Sequence, residues 1–449
     1  MKKLKGGFRI GLYACSGMGI NLLNLMMGSY LCSALLVGGF GTENAILNQT
    51  YLQKDLVVAA VWSVFVLIAK IVDGVIDFPM AAFTDKLRSR FGRRRPSLVI
   101  GLVPLLISYL LFLLIPDRSG VSMLNTVYYW IILCIFYSFY TLTMTTYYAT
   151  FTEIVDNEPD RRRLSNIKAV CDILYFLIGY VAVRALLNGI NIRTVAVIVL
   201  PLAATMLIPL FMIKEPSNLD EKTVEYKTVG LVESFKHTFR NRSFVLWMLV
   251  HALMQFGVQL FLGGINEYFS SAGMSMIFVM MSAFAPVPFT FFLYNRLVRT
   301  RGFGFGIRYT FLVFSLGMLG MFCVSFLPQG TMKTVCSIVA GLISSFAIGA
   351  VFASAYAIPS QLAAEEEEKD GISNSAMYFA VQGLFDGVAT GIATGVVLTA
   401  LKQASKGEGP GAIIYLTLIS ALATLGAAAL SFILPKSVLM IGKEEKKKD

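Results

Sequence analysis

The sequence predicts an all-α membrane protein with about twelve transmembrane helices in two six-helix halves. Hydrophobic residues make up 56% of its 449 residues and charged residues only 14%, whereas soluble domains carry about 25% charged residues. Apolar stretches of roughly 20 to 30 residues recur along the chain, long enough to cross about 30 Å of hydrocarbon as helices. We expect helices because lipid cannot satisfy backbone hydrogen bonds, and the sequence lacks the alternating pattern of barrel strands.

Twelve apolar stretches define the predicted spans, and one long polar connection separates the first six from the last six. The predicted spans are 9–37, 56–83, 97–115, 123–152, 166–188, 193–213, 243–269, 275–298, 307–327, 332–361, 373–402 and 411–435. The expected domains are an N-terminal half (1–213), a cytoplasmic linker (214–242), a C-terminal half (243–435) and a cytoplasmic tail (436–449). Two six-helix halves are the gross signature of the major facilitator fold.

Lysine and arginine residues concentrate in the connections on one side of the predicted membrane. Examples are the segments 2–9, 86–95 and 296–301, while the opposite connections are nearly free of positive charge. Basic residues favour the cytoplasmic side, and the acidic run 365–368 counts little in that rule. The sequence therefore predicts a multi-pass protein of the cell (inner) membrane with both termini cytoplasmic. These loops account for the net charge of +11, so membrane lipids are expected as partners and nucleic acid is not.

The sequence lacks the common motifs of catalysis and metal binding. It has no phosphate-binding loop, no HExxH and no GxSxG pattern. Its six cysteines are scattered singly without CxxC spacing, so we interpret them as packing residues. The sequence therefore indicates neither an enzyme nor a bound cofactor. A membrane-embedded sensor or enzyme stays as the alternative from a different functional class.

Two aspartates in the second predicted span are the main candidates for a cation-binding site. Asp73 and Asp77 lie four residues apart, on one face of a helix, in the middle of an apolar stretch. An acidic side chain within the membrane is costly and normally faces a cavity or a partner. Two carboxylates on one face repel each other, and a bound cation or proton relieves the repulsion. The alternative is a charge pair with Lys70, three residues earlier, which can neutralise only one of the two.

The segment around these aspartates resembles a known transporter family. Asp73 and Asp77 belong to a DxxxDFP motif, which is followed by the basic stretch RSRFGRRRP at 88–96. This pattern is similar to the glycoside–pentoside–hexuronide:cation symporter family, the family of melibiose permease. The resemblance implies a cation site at the two aspartates, with Thr141 of the fourth span as a further ligand and Na⁺ or H⁺ as the coupling ion. An asparagine of the family motif is replaced here by Ile76.

The sugar-binding positions of that family match this sequence only in part. The acid of the first helix aligns with Asn21 and that of the fourth helix with Met144, while a tyrosine is retained as Tyr140. The lysine of the eleventh helix has no counterpart, although Asp386 is adjacent to its position and Gln382 is one turn earlier. We expect Asn21, Tyr140, Gln382 and Asp386 to bind the substrate. Galactoside specificity does not carry over.

The connection after the second span is the predicted conformational gate. Asp85 at the end of the helix, with Arg88 and Arg93 after it, can form ion pairs with the other half when the cytoplasmic side is closed. Breaking those pairs would open that side. The alternative, in which the loop only sets the topology, is compatible with this role.

The predicted function is secondary active transport by a monomer. It is cation-coupled symport of a small polar solute by alternating access, with a sugar or glycoside as the first candidate. Uncoupled facilitation and symport of a non-sugar solute are the alternatives, and we expect no metal beyond Na⁺ at Asp73 and Asp77. Among other polar residues of the spans, we interpret His251 as a packing residue rather than a proton carrier, and Lys168 with Asp172 as an ion pair.

Overall fold

The structure is a computed structural model that describes residues 7–41, 43–154, 158–219, 239–348, 362, 375–405 and 411–440. Some side chains within its helices lie outside the described part, among them those of Asp77 and Asp85. Every statement about the structure below refers to the described residues.

Twelve long helices account for most of the described chain. In chain order they are α1 (Gly7–Leu35), α2 (Ala59–Lys86), α3 (Arg94–Phe112), α4 (Met123–Ala149), α5 (158–186), α6 (Ile192–Met212), α7 (Arg242–Gly263), α8 (Met276–Arg301), α9 (Phe303–Ser325), α10 (Thr331–Ile348), α11 (375–404) and α12 (Ala412–Ile433). Eleven of them contain a stretch long and apolar enough to cross a membrane. The exception, α5, carries several charged residues in its first half. These helices confirm the predicted fold class.

The helix boundaries differ from the predicted spans where backbone hydrogen bonding, rather than hydropathy, decides where a helix starts or stops. Helix α2 begins after Val58, whose backbone N–H donates to the Thr126 hydroxyl of α4 at 2.9 Å. The predicted seventh span ends as a helix at Gly263 and continues after Gly264 as Ile265–Ala272. The last part of the predicted tenth span, 349–361, lies outside the described residues.

Three of the long helices contain a segment with π-helical hydrogen bonding. These segments are Met26–Leu31 in α1, Ile178–Ala182 in α5 and Ile392–Val397 in α11. The first two contact each other, since the Tyr30 hydroxyl donates to the carbonyl oxygen of Gly179 at 2.7 Å. Short π segments within helices are often found at functional sites, and two of these helices, α1 and α11, carry the predicted substrate residues Asn21, Gln382 and Asp386.

The described residues form two compact units with similar internal packing. Residues 7–37 and 43–219 make up the first unit, and residues 38–41 and 239–440 the second. In the first unit α1 packs against α5 and α6, and in the second α7 packs against α11 and α12. The first helix of each unit therefore contacts the fifth and sixth helices of the same unit, as expected of two structural repeats.

Close helix packing in both units depends on glycine. A Cβ atom added to Gly101 of α3 would lie 2.5 Å from the Thr143 hydroxyl oxygen of α4. In the second unit, a Cβ at Gly257 of α7 would lie 2.9 Å from the carbonyl oxygen of Ser420 in α12. Small residues at such contacts allow membrane helices to approach closely. Because Gly101 and Gly257 have no side chain, α3 can pack closely against α4, and α7 can pack closely against α12.

The distribution of polar and apolar side chains suits a lipid environment. Large apolar side chains are widely exposed, for example Phe289 at 68% and Leu312 at 52%. Conversely, charged side chains such as Glu267 and Lys402 are buried. Exposed apolar area of this extent is unusual for a soluble monomer. The outward faces of the helices are therefore built to contact lipid.

Two of the six cysteines are paired. Cys15 of α1 and Cys171 of α5 form a disulfide, with their Cα atoms 5.6 Å apart, a separation typical of disulfides. The interpretation of the six cysteines as packing residues did not include this pairing. They are 156 residues apart in sequence, so only the packing of α1 against α5 brings them together.

Candidate cation and substrate sites

Asp73 is the centre of a polar cluster between α2 and α4. The Thr141 hydroxyl donates to Asp73 Oδ1 at 3.3 Å, and Lys70 Nζ lies 3.5 Å from Asp73 Oδ2. The Lys70 ammonium also lies 3.6 Å from the centroid of the buried Tyr137 ring, where the face of the ring attracts a cation. The Asp73 carboxylate thus contacts both an ammonium and a hydroxyl. Its side chain is still 26% exposed, so the carboxylate stays accessible.

The predicted partner of Asp73 occupies the next turn of α2. The backbone of Asp77 belongs to the continuous helix Ala59–Lys86, so its Cα lies on the same face as that of Asp73. Its side chain lies outside the described residues, and its role in a cation site stays a prediction. The expected Lys70 charge pair is formed with Asp73. In this structure Lys70 therefore pairs with one carboxylate of the two.

A second polar cluster joins α1, α4 and α5 in the first unit. The Tyr140 hydroxyl donates to Asn21 Oδ1 at 3.1 Å, which brings these two predicted substrate residues together. Tyr148 lies two turns after Tyr140 on α4. The Lys168 ammonium is 4.9 Å from the centroid of the Tyr148 ring and forms the expected ion pair with Asp172. Sequence reasoning did not select Tyr148 for this cluster, because an aromatic residue near a helix end is commonly an interfacial anchor.

The other two predicted substrate residues lie together in the second unit, around a histidine. Nε2 of His251 in α7 lies 3.2 Å from Asp386 Oδ2 and 3.3 Å from Gln382 Nε2, both in α11. Gln382 and Asp386 are one helical turn apart, so both face α7 at the same point. The imidazole of His251 is fully buried. The sequence offered no sign of this contact beyond three polar residues in apolar helices.

The loop between α2 and α3 is held by the chain that follows α6. The backbone N–H of Arg94 donates to Glu215 Oε2 at 2.7 Å, and Asn218 Oδ1 accepts from the backbone N–H of Ser89 at 2.8 Å. Gly92 has φ +78°, and an added Cβ would lie 2.5 Å from Glu215 Oε2. The loop is thus anchored within its own unit.

The predicted gate residues are placed only in part. Arg88 is exposed and Arg93 is half-buried in this loop, and the side chain of Asp85 lies outside the described residues. The gate role of these three residues stays a prediction.

A buried ion pair in the second unit was not predicted from the sequence. Lys402 Nζ of α11 lies 2.5 Å from Glu267 Oε1, and their side chains are 4% and 0% exposed. The ammonium is also 5.1 Å from the centroid of the Phe40 ring. A buried pair of this kind is costly to break, because the remaining charge has no compensation.

Two units of long apolar helices with polar clusters between the helices are typical of a polytopic membrane protein. The chain belongs to the MFS/sugar transport protein family, whose model matches residues 12–435. Because MFS denotes the major facilitator superfamily, this match confirms the family and the class of protein expected from the sequence, a transporter rather than an enzyme.

One curated relative is a symporter. An uncharacterized symporter of Synechocystis sp. (strain ATCC 27184 / PCC 6803 / Kazusa) is 31% identical to this chain over 134 residues. The match covers 28% of this chain and 25% of the length of that relative. This similarity is therefore local.

Solved transporter structures share the fold over nearly the whole chain. A mutant form of the nucleoside transporter NupG has a TM-score of 0.64 and 14% identity, and the match covers 96% of this chain and 100% of that one. The xylose transporter XylE from E. coli, in a partially occluded inward-open conformation, has a TM-score of 0.59 and 14% identity, with the same coverage. At such low identity these similarities support the fold alone.

Proposed function

We propose that this transporter couples the movement of a small polar solute, with a sugar or glycoside as the first candidate, to the movement of Na⁺ or H⁺. The observation that carries the proposal is the Asp73 cluster. An ionised carboxylate within an apolar helix is costly unless a positive charge lies close to it. Lys70 supplies one charge at 3.5 Å, and Asp77 adds a second acid on the same helical face. One mobile cation therefore completes the neutralisation of the site.

The chemistry of this cluster suits either proposed coupling ion. Carboxylate and hydroxyl oxygens are the ligands that hard cations prefer, and Asp73 with Thr141 presents both within 3.3 Å. A proton would bind to a carboxylate oxygen directly. Neutralising the site lowers the cost of enclosing it, so the loaded carrier closes more easily than the empty one.

The cluster around Asn21 and Tyr140 is the proposed solute site of the first unit. It offers an amide, two phenol hydroxyls and the Lys168–Asp172 ion pair, which can donate and accept hydrogen bonds. The Tyr148 ring is 37% exposed and can stack against the apolar face of a sugar ring. Gln382 and Asp386 are the proposed solute ligands of the second unit.

Coupling follows from the proximity of ion and solute ligands on α4. Thr141 of the cation cluster directly follows Tyr140 of the solute cluster. If the cation tightens solute binding by some factor, the solute must tighten cation binding by the same factor. Alternating access then carries both across the membrane. Asp85, Arg88 and Arg93 are proposed to hold the cytoplasmic side closed between steps.

The proposed setting is the cell (inner) membrane, with both termini in the cytoplasm and a monomer as the working unit. The basic loops support this orientation through the positive-inside rule. No cofactor takes part in the proposed cycle.

Reconstituted protein tests the proposal directly. We expect proteoliposomes to accumulate at least one member of a panel of glycosides, pentoses and uronic acids when a Na⁺ or H⁺ gradient is imposed. Equilibration that ignores both gradients would identify an uncoupled facilitator. If only non-sugar solutes accumulate, the proposed substrate class is wrong. A complete lack of solute flux would favour a sensor.

A further inference from the structure

Two arginines of the second unit lie against exposed aromatic rings where α8 ends and α9 begins. Arg301 is the last residue of α8, and its guanidinium carbon lies 4.6 Å from the centroid of the Phe305 ring. Arg308, in the second turn of α9, lies 4.1 Å from the centroid of the Phe432 ring at the end of α12. Both rings are exposed, Phe432 at 69%. The two positive charges therefore lie at the outer surface of these helices.

An apolar stripe of α9 continues from this position along the helix. Phe305, Leu312 and Leu316 are seven and four residues apart, which places them on one face, and all three are exposed. Helix α12 packs against α9 and adds the exposed side chains of Phe432 and Ile433. The exposed apolar face of a membrane-spanning helix contacts the acyl chains of lipid. The two arginines therefore lie beside a surface that suits acyl chains.

The charge of these arginines is not neutralised by an acid of the described chain. Within the described residues of the second unit, the acids are Glu267 and Asp386. Glu267 pairs with Lys402, and Asp386 lies against His251. An arginine is always charged in a protein, and a charge next to hydrocarbon normally has a partner. An anion of the membrane can supply that partner here.

Hydrogen bonds fix the position of Arg308 and use only part of its guanidinium group. Nε donates to the Ser431 hydroxyl at 3.1 Å, and Nη2 donates to the carbonyl oxygen of Ser431 at 3.0 Å. A guanidinium group has five N–H donors, so most of them remain for a further acceptor. Their planar arrangement suits a phosphate group, which can accept two parallel hydrogen bonds. Arg308 is therefore held in place and can still bind a phosphate.

Glycines allow the close turn that brings the two arginines to one place. Gly302 has φ +88°, and an added Cβ would lie 2.8 Å from the carbonyl oxygen of Leu439. At Gly306 an added Cβ would lie 2.7 Å from Cγ2 of Val298 in α8. The first arginine then lies over the ring of Phe305, which is three residues before the second arginine and on the same helical face. The turn therefore presents both guanidinium groups together.

We propose that this turn is a binding site for an anionic phospholipid, the lipid site. The guanidinium groups of Arg301 and Arg308 bind the phosphate of the headgroup, and one acyl chain lies along Phe305, Leu312 and Leu316. A free anion would leave the apolar stripe unused, and a zwitterionic lipid carries its own cation, which offsets the phosphate. The lipid site lies apart from the proposed cation and solute ligands, so lipid binding does not depend on the proposed function.

Native mass spectrometry of the full-length protein in detergent tests the lipid site. Titration with dioleoylphosphatidylglycerol should show saturable binding, and dioleoylphosphatidylcholine should bind more weakly. Arg308→Gln should weaken the tightest phosphatidylglycerol binding step by about tenfold, because it removes a hydrogen bond to a charged group. Arg301→Gln should weaken it by a similar factor. The Arg301 side chain contacts Phe305 without a hydrogen bond to another described residue, so this second variant should keep the fold.

The matched control is Arg118→Gln, which removes the same charge from an exposed loop of the first unit and should bind phosphatidylglycerol like wild type. Wild-type affinity in both Arg301→Gln and Arg308→Gln would overturn the proposal. Equal binding of the two lipids would also overturn it, because apolar contact alone would then explain the binding. Inorganic phosphate that displaces the lipid at equal concentration would identify a free-anion site instead. The titration needs no solute, so failure of the proposed symport would leave its outcome unchanged.

Discussion

Replacing Thr141 by valine distinguishes the two proposed coupling ions, because the variant has opposite effects on them. Valine keeps the size and branching of threonine but removes the hydroxyl that donates to Asp73 Oδ1 at 3.3 Å. Na⁺ loses an oxygen ligand and should bind more weakly. A proton should bind Asp73 more tightly, because a hydrogen bond to the charged form of a carboxylate favours that form, and the variant removes it.

The size of the effect follows from the geometry. A hydrogen bond to a charged group contributes about 1.5–3 kcal/mol. The bond here is long, and Asp73 is 26% exposed, so we take the low end. About 1.4 kcal/mol corresponds to a tenfold change in a binding constant. The half-saturating Na⁺ concentration should rise about tenfold, or the half-saturating proton concentration should fall by a similar factor.

The assay is initial solute uptake into proteoliposomes as a function of Na⁺ concentration and of pH. Thr145→Val is the control, because the Thr145 hydroxyl donates to the backbone carbonyl of Thr141 at 2.7 Å and its loss should change neither constant. If Thr141→Val shifts both constants by less than twofold, Thr141 and the Asp73 carboxylate do not form the coupling site.

Three further substitutions probe the solute cluster, the buried ion pair and the helix packing. Tyr140→Phe removes the hydrogen bond to Asn21. The affinity for the solute should weaken by about two- to tenfold, since a neutral hydrogen bond contributes about 0.5–1.5 kcal/mol. Equilibrium binding of the transported solute measures this affinity. Glu267→Gln leaves the Lys402 ammonium buried without its carboxylate and should destabilise the fold by about 3–5 kcal/mol, measured by thermal unfolding in detergent. Gly101→Ala forces α3 away from α4 and should cost about 1–3 kcal/mol in the same measurement.

Each of these has a matched control and a contradicting result. Tyr128→Phe loses a hydroxyl bond to the backbone of Leu111 on an exposed surface and should bind solute normally; equal effects of both tyrosine variants would remove Tyr140 from the site. Adding Lys402→Met to Glu267→Gln should recover stability, and a double variant as unstable as the single one would contradict the ion-pair account. Gly11→Ala, where a Cβ meets its nearest neighbour at 3.5 Å, should be tolerated, whereas Gly101→Ala is not.

The sequence predicted features that depend on one helix at a time. The number of spans follows from hydropathy, and the common face of Lys70, Asp73 and Asp77 follows from helical periodicity. The family resemblance assigned Thr141 to the cation site, and its role as a cation ligand stays a prediction. Its hydroxyl reaches Asp73 because α2 and α4 pack against each other.

Features that depend on how two helices face each other were not predicted. His251 and Asp386 are 135 residues apart, and so are Glu267 and Lys402. Their contacts require both the packing of helices and the rotation of each helix about its axis, which periodicity leaves open. A polar residue in an apolar helix indicates that a partner exists but does not identify it.

The central claim is that the α2 carboxylates couple solute movement to a cation, and Asp77→Asn tests it most directly. The measurement compares cation-driven solute accumulation with solute exchange at equilibrium in the same proteoliposomes, with the exposed-loop variant Asp117→Asn as control. The account predicts that Asp77→Asn exchanges solute but no longer accumulates it against a gradient. Accumulation at the wild-type level in that variant would contradict the claim.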